Sequence, residues 1–192
     1  MDKIVLSAMD LLKDSFQLGV EILESGFEPT MIIAIWRGGA PVGMAVQEVL
    51  AYCGVESDHI AIRTSSYTGT NQRGDVTVHG LNYIIKKIGC DDRVLIVDDV
   101  FDTGNTVKEL IGAIGRRARN NTPEDIRIAV PWFKPSRNKT NIKPHFYLRE
   151  TTAWLVFPHE LDALSLQEMR EARPALHDII HDVSSGRELT ND

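Results

Sequence analysis

The chain has 192 residues, 43% of them hydrophobic and 25% charged, with a formal net charge of −6. This length and balance suit a single globular domain with one substantial core, and the negative charge argues against broad nucleic-acid binding. No apolar run approaches the roughly 18 residues of a membrane span, the N-terminus lacks the apolar centre of a signal peptide, and Cys53 and Cys90 fit neither a metal spacing nor a disulfide framework, so a reducing, cytoplasmic setting is expected.

In chain order, residues 3–6 (KIVL) read as a short strand, and Ser7 fits a helix N-cap with Asp10 three residues on. A helical pattern follows from about 8 to 25, with Met9, Leu12, Phe16, Val20 and Leu23 on one face and Gly26 closing it. Residues 31–36 (MIIAIW) form a continuous apolar run, the mark of a strand buried on both faces. Pro41 suits the first turn of a helix running to about Tyr52. Residues 59–63 read as a strand, 64–77 as a long polar connection, and 81–88 as a short helix. The clearest strand is 93–97 (RVLIV), followed after a turn by a helix from about 106 to 118 whose C-terminus carries Arg116, Arg117 and Arg119. Residues 126–130 form another strand, 134–144 a proline-broken loop, and 145–149 and 154–157 two short strands. From 165 to 183 the pattern is helical, with Pro174 expected to break or kink it. His177 and His181 stand four apart there, without an evident third metal ligand. Alternating strands and helices imply an α/β fold with a largely parallel sheet, and no repeat or linker divides the chain.

The run VLIVDDVFDTGNT, residues 94–106, places two carboxylates where a buried strand ends. Ligands of open α/β sheets bind at that edge. Residues Asp102, Thr103, Gly104, Asn105 and Thr106 then make a small, hydroxyl-rich turn at a helix N-terminus. Backbone amides, two hydroxyls and the helix dipole can together hold a phosphate there, and Gly104 permits close backbone approach. A purely structural alternative has the aspartates capping a turn and Thr103 capping the helix. A nucleotide-hydrolase P-loop is disfavoured because no GxxxxGK[ST] is present.

This run resembles the signature of the type I phosphoribosyltransferases, closest to the bacterial xanthine-guanine and hypoxanthine members, and the resemblance covers about residues 3–160. It implies a parallel-sheet α/β fold with helices on both faces and a small hood of short strands. In a single domain spanning 1–192, the core would be about 26–133, the hood about 1–7 and 134–160, and a helical tail about 161–192. The resemblance implies that Asp98 and Asp99 engage the ribose hydroxyls of phosphoribosyl pyrophosphate, that residues 102–106 bind its 5-phosphate, and that Asp102 is the general base. Asn105 stands where many relatives have Gly or a basic residue.

Trp36-Arg37-Gly38-Gly39 follows a buried strand and by itself reads as a turn with an exposed arginine. It resembles the family's pyrophosphate loop, which implies a cis peptide at Trp36–Arg37 and donor binding by Arg37, Gly38 and Gly39. Ser65-Ser66-Tyr67 and Asn71-Gln72-Arg73 resemble the catalytic loop that closes over the reacting centre, with Ser66 and Tyr67 binding the donor. Lys134, otherwise a solvated lysine at a strand end, would donate to the oxygen on purine C6. In Trp154-Leu155-Val156-Phe157-Pro158-His159-Glu160, Trp154 would stack on the base, the Leu155 backbone would read its edge, and Glu160 would join Asp98 and Asp99 in holding Mg2+.

The activity implied is purine salvage, the transfer of ribose 5-phosphate onto hypoxanthine, guanine or xanthine by a cytoplasmic homodimer or homotetramer. A transferase for another nucleobase and a non-catalytic sensor of phosphoribosyl pyrophosphate are the rivals. An ammonium at Lys134 favours an oxo over an amino group, and the net charge opposes a nucleic-acid-binding sensor.

Overall fold

The computed structural model describes residues 3–65 and 77–184. In chain order the elements are β1 (Lys3–Val5), α1 (Ala8–Glu24), β2 (Met31–Trp36), α2 (Gly39–Tyr52), β3 (Asp58–Ser65), β4 (Thr77–His79), α3 (Leu81–Lys87), β5 (Arg93–Val97), β6 (Val100–Phe101), α4 (Asn105–Ala118), β7 (Asp125–Phe133), β8 (Phe146–Glu150), β9 (Trp154–Val156), α5 (Leu166–Ala172) and α6 (Pro174–Ser184). They fall into two compact units: Met9–Thr152, and Met1–Ala8 with Ala153–Asp192.

The larger unit is built on a sheet of order β4-β3-β2-β5-β7-β6, with β8 also paired to β7. All its pairings are parallel except β3 with β4. β2 and β5 are central and buried on both faces, as their unbroken apolar runs require. On one face, Ile33, Ile35, Ile62, Val94, Ile96 and Ile128 pack with the apolar residues of α3 and α4. α2 covers the other face, where Gly43 lets its backbone approach Ala34: a Cβ there would lie 2.7 Å from the alanine's.

Helix α1 buries a different face from the one its spacing picks out. Met9, Leu12, Phe16 and Val20 are exposed, and the buried positions are Leu11, Asp14, Ser15, Leu18, Gly19 and Ile22. Two contacts explain this choice. Gly19 abuts Val49 of α2 so closely that a Cβ would stand 2.9 Å from it. The Asp14 carboxylate is clasped by Arg149 of β8, with Nη2 2.6 Å from Oδ1 and Nε 3.3 Å from Oδ2.

The sequence placed 134–160 in the hood. β8 instead joins the main sheet, with Ala129 opposite Phe146 and Phe133 opposite Glu150. Thr151 N extends that ladder by donating to Phe133 O.

In the smaller unit β1 and β9 pair in parallel. Ser165 and Glu168 form a capping box at the start of α5, and Lys3 Nζ lies 2.6 Å from Glu168 Oε1. Pro174 separates α5 from α6, as a proline in a helical run should. Just before it, the Arg173 guanidinium donates to the carbonyls of Val156, Phe157 and Glu160, which fastens this junction to the end of β9. No helix among the described residues is long and apolar enough to cross a membrane.

Candidate active site

The site grows from the end of β5. Val94 to Val97 are fully buried, and β6 continues their ladder along β7 in the same register, with Val97 opposite Ala129 and Val100 opposite Trp132. Asp98 and Asp99 interrupt that line. Asp98 N donates to Ala129 O, and Asp99 N donates to Asp98 Oδ1 at 3.0 Å. Burial pushes the Asp98 carboxyl well above its usual range, and the Asp99 charge pushes it further. Hydrogen bonds from the backbone of Asp99 and Gly39 act in the opposite direction.

The Gly39 contact brings in the second motif, about sixty residues away in sequence. The Trp36–Arg37 peptide is cis, as expected, and Arg37 is exposed. A Cβ on Gly38 would lie 1.8 Å from Asp99 Oδ2, and one on Gly39 would lie 2.4 Å from Val97 O. Only bare backbone fits between the start of α2 and the two aspartates.

Beyond β6, residues 102–106 turn into α4. Gly104 occupies the N-cap with φ 77° and, being glycine, offers no capping side chain of its own. Of the first-turn amides, Asn105 N makes a long hydrogen bond, 3.4 Å, to Thr103 Oγ1. A cavity of about 70 Å³ opens here, lined by Asp98, Asp102, Thr103, Gly104 and Thr106 among others. Asn105 is exposed.

The loop after β7 lies against this turn. Lys134 is 4% exposed rather than solvated, and its N–H donates to Phe101 O. Arg137 Nε stands 2.6 Å from Asp102 Oδ1, and Lys139 N donates to Thr103 O at 3.0 Å. The sequence reading missed Arg137. Its only signal was a second cation three residues after Lys134 in the same proline-containing loop.

Trp154, Leu155 and Glu160 belong to the smaller unit. There Trp154 is partly exposed, Leu155 is buried opposite Ile4, and Glu160 Oε2 accepts from Phe157 N at 3.1 Å. Ser66, Tyr67 and residues 71–73 lie outside the described residues. His177 Nδ1 lies 3.2 Å from Asp178 Oδ1. No group of three or more His, Cys, Asp or Glu among the described residues could hold a metal ion.

Paired carboxylates, close-set glycine backbone and a helix start meet at the carboxyl edge of one parallel sheet, the edge where open α/β folds bind their ligands. The chain belongs to the family described as the phosphoribosyl transferase domain, which matches residues 4–165. It is 28% identical over 151 residues to the hypoxanthine-guanine phosphoribosyltransferase of Lactococcus lactis, covering 76% of this chain and 75% of that protein. Among solved structures it is similar to a purine phosphoribosyltransferase from Pyrococcus horikoshii, with a TM-score of 0.64 and 28% identity over 84% of this chain and 95% of that one. The xanthine-guanine-hypoxanthine phosphoribosyltransferase of Helicobacter pylori has a TM-score of 0.63 and 20% identity, over 84% and 96% of the two chains, and so shares the fold.

Proposed function

We propose that this protein transfers the ribose 5-phosphate of phosphoribosyl pyrophosphate to N9 of a 6-oxopurine, releasing pyrophosphate. The observation that carries the 6-oxo assignment is Lys134, a buried lysine at the end of β7 beside the phosphate turn. An ammonium only donates, so it suits a carbonyl oxygen at C6 and not the amino group of adenine. The names of the Lactococcus and Pyrococcus proteins agree with a purine acceptor.

In this reading residues 103–106 hold the 5-phosphate through backbone amides and hydroxyls. Gly38 and Gly39 offer backbone to the diphosphate, and Arg37 adds a positive charge. Asp98 and Asp99 accept hydrogen bonds from the ribose hydroxyls and stand near the positive charge that develops at C1 as pyrophosphate leaves. Asp102 takes the proton from purine N7 as N9 bonds to C1.

Magnesium fits the corner. Two adjacent aspartates, one pushed toward its neutral form by burial and then by the other's charge, gain from a shared cation, and Mg2+ commonly takes one or two carboxylates and completes its shell with substrate phosphates and water. Asp98 and Asp99 are the residues that would hold it, and when bound it would neutralise charge on the leaving diphosphate.

The test is a turnover assay with phosphoribosyl pyrophosphate, Mg2+ and hypoxanthine, guanine, xanthine or adenine in turn. Nucleoside monophosphate should form with one or more of the oxopurines and not with adenine. A preference for adenine would refute the role of Lys134, and no turnover with any base would refute the activity.

A further inference from the structure

The Arg137–Asp102 pair links two loops to which the reaction gives separate tasks. Asp102 sits at the start of the phosphate turn, and Arg137 lies on the short 3-10 turn Pro135–Arg137 that follows Lys134. Asp102 Oδ1 is buried and accepts no hydrogen bond. Its compensation is the Arg137 guanidinium, with Nε 2.6 Å away. A charge contact without an aligned N–H still fixes which carboxylate oxygen faces the cation.

The arginine is itself held in place. Arg137 N donates to Lys134 O, and Lys139 N donates to Thr103 O. Asn138 Oδ1 accepts from both N and Oγ1 of Thr140 at 2.9 Å, while its Nδ2 donates to Ile142 O at 2.8 Å. Thr140 Oγ1 in turn lies 2.6 Å from where a Cβ on Gly104 would be. Residues 134–142 thus form a braced strap across the phosphate turn.

We infer that Arg137 is a positioning residue for the proton transfer: by engaging Oδ1 it holds the Asp102 carboxylate so that Oδ2 is the oxygen presented to the purine. This inference rests on the proposed role of Asp102 as general base. It assigns Arg137 no contact with substrate. A displacement of about 1 Å in a reacting group can cost about 100-fold in rate, so loss of the anchor should appear in kcat.

The experiment measures kcat and KM for phosphoribosyl pyrophosphate and hypoxanthine with Mg2+, using Arg137→Gln and Arg137→Lys, each in the wild-type and Asp102→Asn backgrounds. Arg137→Gln should lower kcat about 10- to 100-fold with either KM changed less than about threefold. Arg137→Lys, which keeps a cation, should recover a large part of that loss. In the Asp102→Asn background Arg137→Gln should cost almost nothing further, because the group it serves is gone. A raised KM with unchanged kcat would make Arg137 a substrate ligand and overturn the inference. Equal losses in both backgrounds, or no rescue by lysine, would make it a general structural prop and overturn it too. If Asp102→Asn lowers turnover while Arg137→Gln leaves it intact, the inference alone fails. If Asp102→Asn is itself fully active, the base assignment fails and the inference falls with it.

Discussion

Two corners of the sheet carry the site, and they are built on opposite principles. After β5, the chain supplies polar groups: Asp98, Asp102, two threonines and a helix start line a cavity, with Asp99 next in sequence to the first. After β2, it supplies the absence of side chains: Gly38 and Gly39 lie so close to Asp99 and Val97 that no Cβ fits. The first corner should fail through lost function and the second through lost fit. Substitutions at each should therefore separate rate from stability.

The largest effect belongs to the chemical corner. Asp102→Asn keeps the shape and removes the proposed base, so kcat should fall about 100- to 10,000-fold, measured as nucleoside monophosphate formed under saturating substrates. Full turnover would remove Asp102 from the mechanism.

Gly39→Ala is the matching break at the other corner. Its Cβ would meet Val97 O at 2.4 Å and Asp98 Cα at 2.9 Å, both backbone atoms of the central strand end. Overpacking of this kind costs about 1–3 kcal/mol, or about 2–4 °C in melting temperature for each kcal/mol in a chain of this size. Calorimetry should show that loss together with weaker donor binding. An unchanged melting temperature would mean that the corner yields more easily than its geometry implies.

Gly104→Ala should cost a comparable amount, by a different route. The residue has φ 77°, where an L side chain loses about 1–2 kcal/mol, and its Cβ would meet Thr140 Oγ1 and the Phe101 ring. Because the turn it caps is the proposed phosphate holder, affinity for the donor should fall with stability.

Asp98→Asn should have the smallest effect on stability, and of opposite sign. The folded Asp98 carboxyl is raised by burial and then by the Asp99 charge, so between the ordinary carboxylate range and that raised value the folded state binds more protons than the unfolded. The stability from this group is fully present below about pH 4, where both states are protonated, and is lost as pH rises toward the folded value. Asparagine escapes that loss. The variant should melt higher than wild type at pH 7, with the gain closing toward pH 4, even as donor binding falls. A variant less stable at pH 7 would contradict the strain assigned to the aspartate pair.

The strand, turn and helix start of residues 94–106 were legible in the sequence because their geometry is local: a buried strand, two acids, a glycine and a helix start follow one another within thirteen residues. The Trp36–Arg37 cis bond came from the resemblance alone, since the residues by themselves read as an ordinary turn. What the sequence hid depends on distant partners. Helix α1 is apolar on two sides, and spacing could not choose between them. Val49 against Gly19 and Arg149 on Asp14 made the choice, and both partners lie far along the chain. β8 joins the main sheet through its pairing with β7, which short strands of ambiguous pattern do not announce. Arg137 was invisible for the same reason, because a cation in a loop gains its meaning only from the buried oxygen it meets.

The most direct measurement is a crystal structure of the protein soaked with phosphoribosyl pyrophosphate and Mg2+. The account predicts the 5-phosphate on the amides of residues 103–106 and the ribose hydroxyls against Asp98 and Asp99. Donor bound elsewhere, with this turn empty, would contradict it.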